Sequence, residues 1–353
     1  MKNIFKKTAK LISVFLTMVM ILLPLSSCSV KEGEMGDNTE NVPDTVNIGM
    51  SFDSFVIERW QRDRDVFVST AKEMGAEVNV QNANGNIEEQ KRQILYFIEQ
   101  NVDVIVIICI DADTLSEEVK KAKNAGIKVI AYDRIIRDAD IDLYISFDNA
   151  TVGTIMGETL IQSGITEGSN VVMIGGSPAD YNVPALEDGF IEVMEGNKVN
   201  IVDRTHCEAW RAEIAYDYVY ENMETISNAD AIMCGNDNIA SKVVSALSEQ
   251  RLAGRIPVTG QDADLEACQR IVEGTQLMTV YKPVDNLAKR AAECAIKLAN
   301  HEVLGTDQTM NNGTYDVPCI LLEPIAVTKD NMDEVIINSG FHTREDVYLN
   351  VTD

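Results

Sequence analysis

The sequence predicts an α/β fold of two doubly wound, Rossmann-like lobes with parallel sheets, joined by a hinge. Short apolar runs alternate with helix-like stretches through most of the 353 residues. This alternation is typical of parallel sheets that are covered by helices, and it begins a second time after residue 150. Residues 104–110 are apolar throughout, as expected for a central strand that is buried on both faces.

The first half alternates strand and helix from its first apolar run. Gly75 and Gly126 follow two of the helical stretches, at the position where glycine commonly ends a helix. The predicted strands are 46–50, 77–81, 104–110 and 128–132, and the predicted helices are 58–74, 87–100 and 115–124.

The second half repeats the same order of elements. Its predicted strands are 170–174, 199–203, 231–234 and 257–260, and its predicted helices are 186–194, 212–223 and 241–250. We therefore expect an N-terminal lobe and a C-terminal lobe, each containing a segment from the end of the chain. The predicted lobes are residues 45–150 with 283–323, and residues 151–282 with 324–353.

A distant internal repeat places acidic residues just past strands in both halves. Asp103 and Asp133 are 30 residues apart, and Asp230 and Asp262 are 32 residues apart. In open α/β sheets, ligands bind at the carboxyl ends of the strands. Two facing lobes of this kind would therefore form a cleft walled by strand ends, and a hinge would let the cleft open and close.

The N-terminus has the features of an export signal. Four lysines precede an apolar run at 11–25, which is about 15 residues long and too short to span a bilayer, since a span needs roughly 20 residues. The run ends in Leu-Ser-Ser-Cys at 25–28, which resembles a bacterial lipobox. We therefore expect a signal peptide at 1–27, lipidation at Cys28 and a flexible polar tether at 28–44.

Charge and cysteine content exclude several classes of function. The signal holds four of the 30 basic residues and no acidic ones, so the rest carries 26 basic and 56 acidic residues, a net charge of −30. Such a surface repels nucleic acid and anionic lipid. The seven cysteines have no metal-ligand spacing, and we expect neither a disulfide framework, nor a metal, nor a cofactor.

The strand ends carry side chains suited to a neutral polyhydroxy ligand. Hydroxyl groups need carboxylates as acceptors and Arg, Lys or Asn as donors, and the C–H faces of such a ligand need flat aromatic rings. The mature chain has one Trp in each half, and we expect these two to lie at matching depth in the cleft. The candidate residues are Arg59, Trp60, Asp133 and Arg134 in one lobe, Asn182, Trp210, Asn236, Asp237 and Asp262 in the other, and Lys282 near the return between lobes.

Several short motifs, in the same order, resemble the bacterial D-xylose-binding proteins of the ribose-binding-like, type I periplasmic-binding family. They lie at 58–61, 81–86, 131–134, 141–149, 175–178, 260–264, 274–283, 311–313 and 340–342, so the resemblance extends over most of the chain after residue 45. It implies the periplasmic-binding-protein-like I fold and sugar contacts from the candidates above, except Asp237. Lys282 favours the xylose branch, because ribose-binding relatives usually have Gln there.

The resemblance also implies a role. We expect a monomeric, lipid-anchored protein on the outer face of the cytoplasmic membrane that delivers a monosaccharide to an ABC permease by hinge closure. The alternative is a sugar receptor that reports to a membrane sensor kinase or chemoreceptor. An enzyme is not expected, because Arg and Asn beside the carboxylates favour their charged forms, and the three histidines form no cluster. A repressor is not expected either, because an export signal replaces the DNA-binding helices.

Overall fold

The computed structural model describes residues 45–351. The predicted signal peptide, Cys28 and the tether lie outside this range. The first part of the described chain forms β1 (Asn47–Phe52), α1 (Arg59–Glu73), β2 (Glu77–Asn82), α2 (Ile87–Glu99), β3 (Val104–Ile107), α3 (Ser116–Asn124), β4 (Lys128–Tyr132) and β5 (Leu143–Phe147).

The middle and last parts of the chain contain the other elements. The middle part forms α4 (Asn149–Gln162), β6 (Asn170–Gly175), α5 (Asn182–Gly196), β7 (Asn200–His206), α6 (Glu213–Glu221), α7 (Met223–Ser227), β8 (Ala231–Cys234), α8 (Asp237–Glu249), β9 (Val258–Gln261), α9 (Leu265–Glu273) and β10 (Met278–Tyr281). The last part forms α10 (Val284–Ala299), β11 (Thr309–Asn311), β12 (Asp316–Leu322), β13 (Ile325–Thr328) and α11 (Arg344–Val347).

These strands form two sheets. The first has seven strands in the order β11-β12-β5-β4-β3-β1-β2, and the second has six in the order β13-β10-β9-β8-β6-β7. All pairings are parallel except those of the edge strands β11 and β13, which run antiparallel to their neighbours. The chain therefore passes between the sheets three times, after β5, after β10 and after β12. The predicted fold class is confirmed.

Helices cover both faces of each sheet. On the first sheet, α1 and α10 pack together on one face, while α2 and α3 cover the other. On the second sheet, α4 and α5 cover one face, and α6 and α8 cover the other. The described cysteines all lie free and buried among these apolar side chains. None of the described helices is long and apolar enough to cross a bilayer.

Several predicted boundaries were wrong, and caps or kinks explain most of them. The helices predicted from 186 and 241 begin four residues earlier, as α5 and α8. The helix predicted at 212–223 is two helices, α6 and α7, with Asn222 between them in a non-helical conformation. The strand predicted at 104–110 ends at Ile107, and the next two residues, Ile108 and Cys109, are buried in the apolar cores of the first lobe. The lobe boundaries drawn from the sequence stay a prediction.

Candidate functional site

A small cavity lies between the two lobes, at the carboxyl ends of their strands. All nine residues that the sequence resemblance selected line it, although they come from seven different segments of the chain. The full lining comprises Ile57, Arg59, Trp60, Asp133, Arg134, Asn149, Asp180, Asn182, Val183, Leu186, Trp210, Asn236, Gln261, Asp262 and Lys282.

Arg59 lines the cavity from the first lobe, whose contribution we call the N-terminal wall. It is the first residue of α1. Its Nη1 lies 2.9 Å from Oδ2 of Asp133, while Nε and Nη2 bind the two oxygens of Asp63 at 3.1 and 3.0 Å. Tyr132 donates a further hydrogen bond to Asp63. The guanidinium is fully buried, so these charged partners offset its desolvation and fix its position.

Asp133 follows β4 in a left-handed conformation, with φ at 63°. Ser146 Oγ and Tyr144 OH donate to its carbonyl oxygen at 2.7 and 3.3 Å, which holds the loop in this uncommon conformation. Burial opposes the charge of its carboxylate, but the cations Arg59 and Lys282 outweigh burial and lower the pKa of Asp133. Asp133 is therefore an acceptor rather than a general acid at neutral pH.

Arg134 and Trp60 form the rest of the N-terminal wall. Arg134 Nη1 donates to Asp53 Oδ2 at 2.7 Å and to the Cys109 carbonyl at 3.1 Å. The guanidinium groups of Arg59 and Arg134 lie 4.5 and 5.6 Å from the ring centroid of Trp60. Both cations thus lie within cation–π range of one indole.

Asp262 and Lys282 form an ion pair on the opposite side. Asp262 follows β9 with φ at 98°, and its Oδ1 lies 2.7 Å from Lys282 Nζ and 4.0 Å from Arg59 Nη1. The Lys282 contact has the distance of an ion pair but lacks hydrogen-bond angles, since Oδ1 has no hydrogen-bond partner among the described residues. That oxygen remains available as an acceptor.

The C-terminal wall is completed by residues at helix starts. Asn236 caps α8, and its side chain accepts from Ile239 N at 2.9 Å. Asn182 is the first residue of α5, and its Nδ2 reaches across the cleft to the Asp133 carbonyl at 2.8 Å. Trp210 ends a short 3₁₀ turn and packs against Gly176, where a Cβ would lie 2.2 Å from the indole. Only glycine leaves room for the ring there.

Both Trp side chains line the cavity, but they differ in burial. Trp60 is 1% exposed and belongs to the core of the first lobe, with Phe52 at its edge, while Trp210 is only partly buried. The sequence had also included Asp237 among the candidates, and this was wrong. Asp237 is buried beneath the cavity, where its carboxylate accepts from Thr279 and Gln276.

Three lining residues carry polar groups that the sequence analysis missed: Asn149, Asp180 and Gln261. Gln261 could have been found, because it directly precedes Asp262 at the end of β9. Asp180 lies in the loop between β6 and α5, a strand end like the others, and the same rule would have indicated it. Asn149 begins α4, which the sequence analysis did not predict.

The lining side chains are balanced in charge. Three cations, Arg59, Arg134 and Lys282, face three carboxylates, Asp133, Asp180 and Asp262. Trp60 Nε1 and Gln261 Oε1 are buried without a hydrogen-bond partner among the described residues. Buried polar atoms are normally satisfied, so the cavity offers donors and acceptors to an uncharged ligand that has several hydroxyl groups.

Comparison with known proteins assigns the family. Residues 48–302 match the sequence model described as "periplasmic binding protein domain". The chain belongs to this family. Members of this family bind solutes and are not enzymes, as the carboxylate environments had indicated. The family resemblance predicted from the motifs is confirmed.

The relatives of this chain include two D-xylose-binding periplasmic proteins. The D-xylose-binding periplasmic protein of Escherichia coli K12 is 45% identical over 308 residues, covering 86% of this chain and 92% of the relative. The protein of the same name from Haemophilus influenzae is 43% identical over 309 residues, with the same two coverages.

A solved structure extends the comparison to three dimensions. An ABC transporter solute-binding protein from Clostridium phytofermentans with bound β-D-glucose is 26% identical, and the alignment covers 85% of this chain and 99% of that one. Its TM-score against this periplasmic binding protein is 0.77. The two-lobed fold is therefore shared over 85% of this chain.

Proposed function

We propose that this chain is an extracytoplasmic binding protein that captures a monosaccharide, D-xylose, in the cavity between its lobes. The observation that carries the proposal is the convergence of nine candidate residues on one small, charge-balanced cavity. The cavity is small and lined mainly by polar and aromatic side chains, which suits a single sugar ring. Charged side chains make strong hydrogen bonds to hydroxyls, and their mutual balance favours a neutral ligand.

The choice of xylose is supported by identity to named relatives. The two D-xylose-binding periplasmic proteins share more than two fifths of their residues with this chain over most of its length. The Asp262–Lys282 ion pair supports the same choice, because Lys282 is the residue that separates the xylose branch from the ribose branch in the resemblance. Arg59, Trp60, Asp133, Arg134, Asn182, Trp210, Asn236 and Asp262 would make the other contacts.

The sugar would be handed to an ABC permease. The solved relative from Clostridium phytofermentans is described as an ABC transporter component, which supports import over sensing. Xylose uptake by cells that lack this chain separates the two roles. We expect uptake from micromolar xylose to fall and to return with the wild-type gene. Normal uptake with loss of the transcriptional response to xylose would favour the receptor alternative.

Anchoring by lipid on Cys28 is a further part of the proposal. A single acyl chain holds a protein weakly, whereas the several chains of a lipoprotein anchor hold it stably. We expect wild-type protein in the membrane fraction and the Cys28→Ser variant in the soluble fraction. Equal membrane retention of both proteins would contradict the lipid anchor, and it would leave the sugar-binding proposal unaffected.

Calorimetric titration tests the ligand. The mature chain carrying Cys28→Ser is titrated with D-xylose, D-ribose, D-glucose and L-arabinose. We expect one-to-one binding that is tightest for xylose. An Asp262→Asn variant should weaken it about tenfold or more, because a charged acceptor is lost. The matched control is Asp188→Asn, the same change at an exposed position on α5. Tighter binding of another sugar than of xylose would reject xylose as the ligand. Absence of binding for all four sugars would reject the proposal.

A further inference from the structure

Asp180 is a cavity-lining carboxylate that contacts protein groups on both sides of the cleft. It lies in the loop between β6 and α5 in the second lobe, and it is 4% exposed. Its Oδ2 lies 2.7 Å from Nε of Arg134, which belongs to the first lobe. Trp210 Nε1 donates to the same Oδ2 at 3.2 Å, and Asn182 N donates to Oδ1 at 3.0 Å.

These partners leave Asp180 little capacity for a ligand. A carboxylate has about four accepting positions, and three of them face Arg134, Trp210 and the backbone of α5. The Arg134 contact is an ion pair without hydrogen-bond angles, because Nε has no hydrogen-bond partner. Coulombic attraction by Asp180 nonetheless raises the pKa of the Arg134 guanidinium against the cost of its burial. Asp180 is thus placed to hold other residues rather than to contact the sugar.

The ion pair joins the lobes beside two other cross-cleft contacts. Asn182 Nδ2 donates to the Asp133 carbonyl, and Ala112 N donates to the Ala179 carbonyl at 3.3 Å, next to Asp180. Arg134 is anchored in its own lobe by Asp53. Opening the cleft would therefore separate Arg134 from Asp180 while leaving the Asp53 contact intact. An open arrangement would leave Arg134 with one of its two carboxylate partners.

We propose that Asp180 is a positioning residue that couples lobe closure to the placement of Arg134 and Trp210 around the ligand. The proposal rests on the proposed sugar-binding function and adds a residue that acts through two others. Closure brings Arg134 to the carboxylate that also holds the Trp210 indole. The closed state thereby gains the buried Arg134–Asp180 ion pair, and the same carboxylate holds the Trp210 indole in place.

The test compares Asp180→Asn with wild type in the mature chain carrying Cys28→Ser. Asparagine keeps the shape and removes the charge. Stopped-flow tryptophan fluorescence measures the rates of xylose binding and release. We expect xylose affinity to fall about tenfold, since a charge-assisted contact is lost. The release rate of xylose should rise while the binding rate stays the same, because the Asp180–Arg134 contact forms only after closure. The control Asp188→Asn, on the helix α5 that follows the Asp180 loop, should have the affinity and release rate of wild type.

A double-mutant cycle separates positioning from a general structural effect. Trp210→Phe keeps an aromatic ring but removes the N–H that binds Asp180. We expect Asp180→Asn to cost less affinity in the Trp210→Phe background than in wild type, since part of the coupling is already lost. Additive effects, or a wild-type release rate in Asp180→Asn, would overturn the proposal.

The outcome remains decisive if the chain binds none of the sugars. The proposed function would then be wrong, and the positioning role is judged on the ligand-free protein by tryptophan fluorescence. The proposal requires a shifted Trp210 emission in Asp180→Asn relative to wild type and to Asp188→Asn, because Trp210 Nε1 donates to Asp180 within the second lobe whether the cleft is open or closed. An unchanged emission would overturn it independently of the sugar.

Discussion

Asp237 shows how one residue can support a site from beneath it. It is fully buried, and its carboxylate accepts from Thr279 Oγ1 at 2.7 Å, Gln276 Nε2 at 2.8 Å and Asp264 N at 3.1 Å. A Cβ on Gly260 would lie 2.1 Å from its Oδ1, so β9 approaches it as closely as glycine allows. This network holds the turn that carries Asp262 in its left-handed conformation.

The burial of Asp237 predicts a pH dependence of stability. Burial raises its pKa from 3.8 to about 7. Between these values the folded chain holds a proton that the unfolded chain has released, so the free energy of unfolding falls as pH rises from about 4 to about 7. We expect Asp237→Asn to make this decline shallower, whatever its effect on absolute stability. Urea unfolding at a series of pH values measures it.

The exposed change Asp188→Asn serves as the control for this prediction. It should leave the decline of stability with pH as in wild type. An Asp237→Asn variant whose decline matches that of wild type would mean that Asp237 is already ionised in the folded protein throughout this range.

At the scale of the element, two helices begin at polar residues rather than at the first apolar position. Asn236 has an extended backbone, with φ at −157°, and its side chain caps α8. Asn182 begins α5, where the Asp180 carboxylate accepts its N–H. Asn236 and Asp180 thus have two functions: each side chain accepts a hydrogen bond from a backbone N–H at a helix start, and each also lines the cavity.

Substitutions of Asn236 should separate these two functions. Asn236→Asp keeps a good cap, so we expect stability within about 0.5 kcal/mol of wild type. It also removes an N–H₂ donor and adds a negative charge to a balanced cavity, so xylose affinity should fall about tenfold or more. Asn236→Ala should lose affinity and about 1 kcal/mol of stability. Thermal unfolding and calorimetry measure both. Wild-type affinity in the Asp variant would remove Asn236 from the sugar site.

The pairing of α4 and α5 depends on glycine. A Cβ on Gly153 would lie 1.8 Å from the Leu186 carbonyl oxygen and 2.7 Å from Phe190 N, both of which are backbone atoms. We expect Gly153→Ala to destabilise the protein by about 3 kcal/mol, because neither helix can move aside without disturbing the core. Gly196→Ala, at the end of α5 with no atom within 4 Å of the new Cβ, is the control and should change stability little. Equal unfolding midpoints would contradict the close approach.

At the scale of the whole molecule, three chain passages join two sheets that face each other across the cavity. Such a connection permits rotation of one lobe against the other about a few residues. A ligand can drive closure only if it binds the closed state better than the open state. The cavity meets this requirement, because its charged groups come from both lobes and surround a ligand only when the lobes approach.

Closure on ligand binding should be visible in solution. We expect the radius of gyration of the mature chain carrying Cys28→Ser to fall when saturating xylose is added. Sucrose at the same concentration is the control, since a disaccharide is large for the cavity. Small-angle scattering gives the measurement. An unchanged radius with bound xylose would mean that the free protein is already closed.

The sequence predicted most of the fold and much of the site. Apolar periodicity located nearly all strands and helices as far as residue 260, and motif resemblance selected nine residues that line one cavity. It missed Asp180 and Gln261, although both lie at strand ends, and it included Asp237, which shares its local pattern with true lining residues. The edge strands β11 and β13 were not predicted, because the sequence analysis assigned no strand or helix beyond residue 260.

The sequence by itself determined the α/β class, the two-lobed repeat and the strand-end location of the candidates, because periodicity and strand polarity are local properties of the chain. Only the tertiary structure decided which strand-end side chain faces the cavity and which supports it. That distinction depends on contacts between residues far apart in sequence, such as Arg134 with Asp180 and Asp262 with Arg59. Burial and charge pairing across the cleft are set by how the lobes pack, and no short segment encodes them.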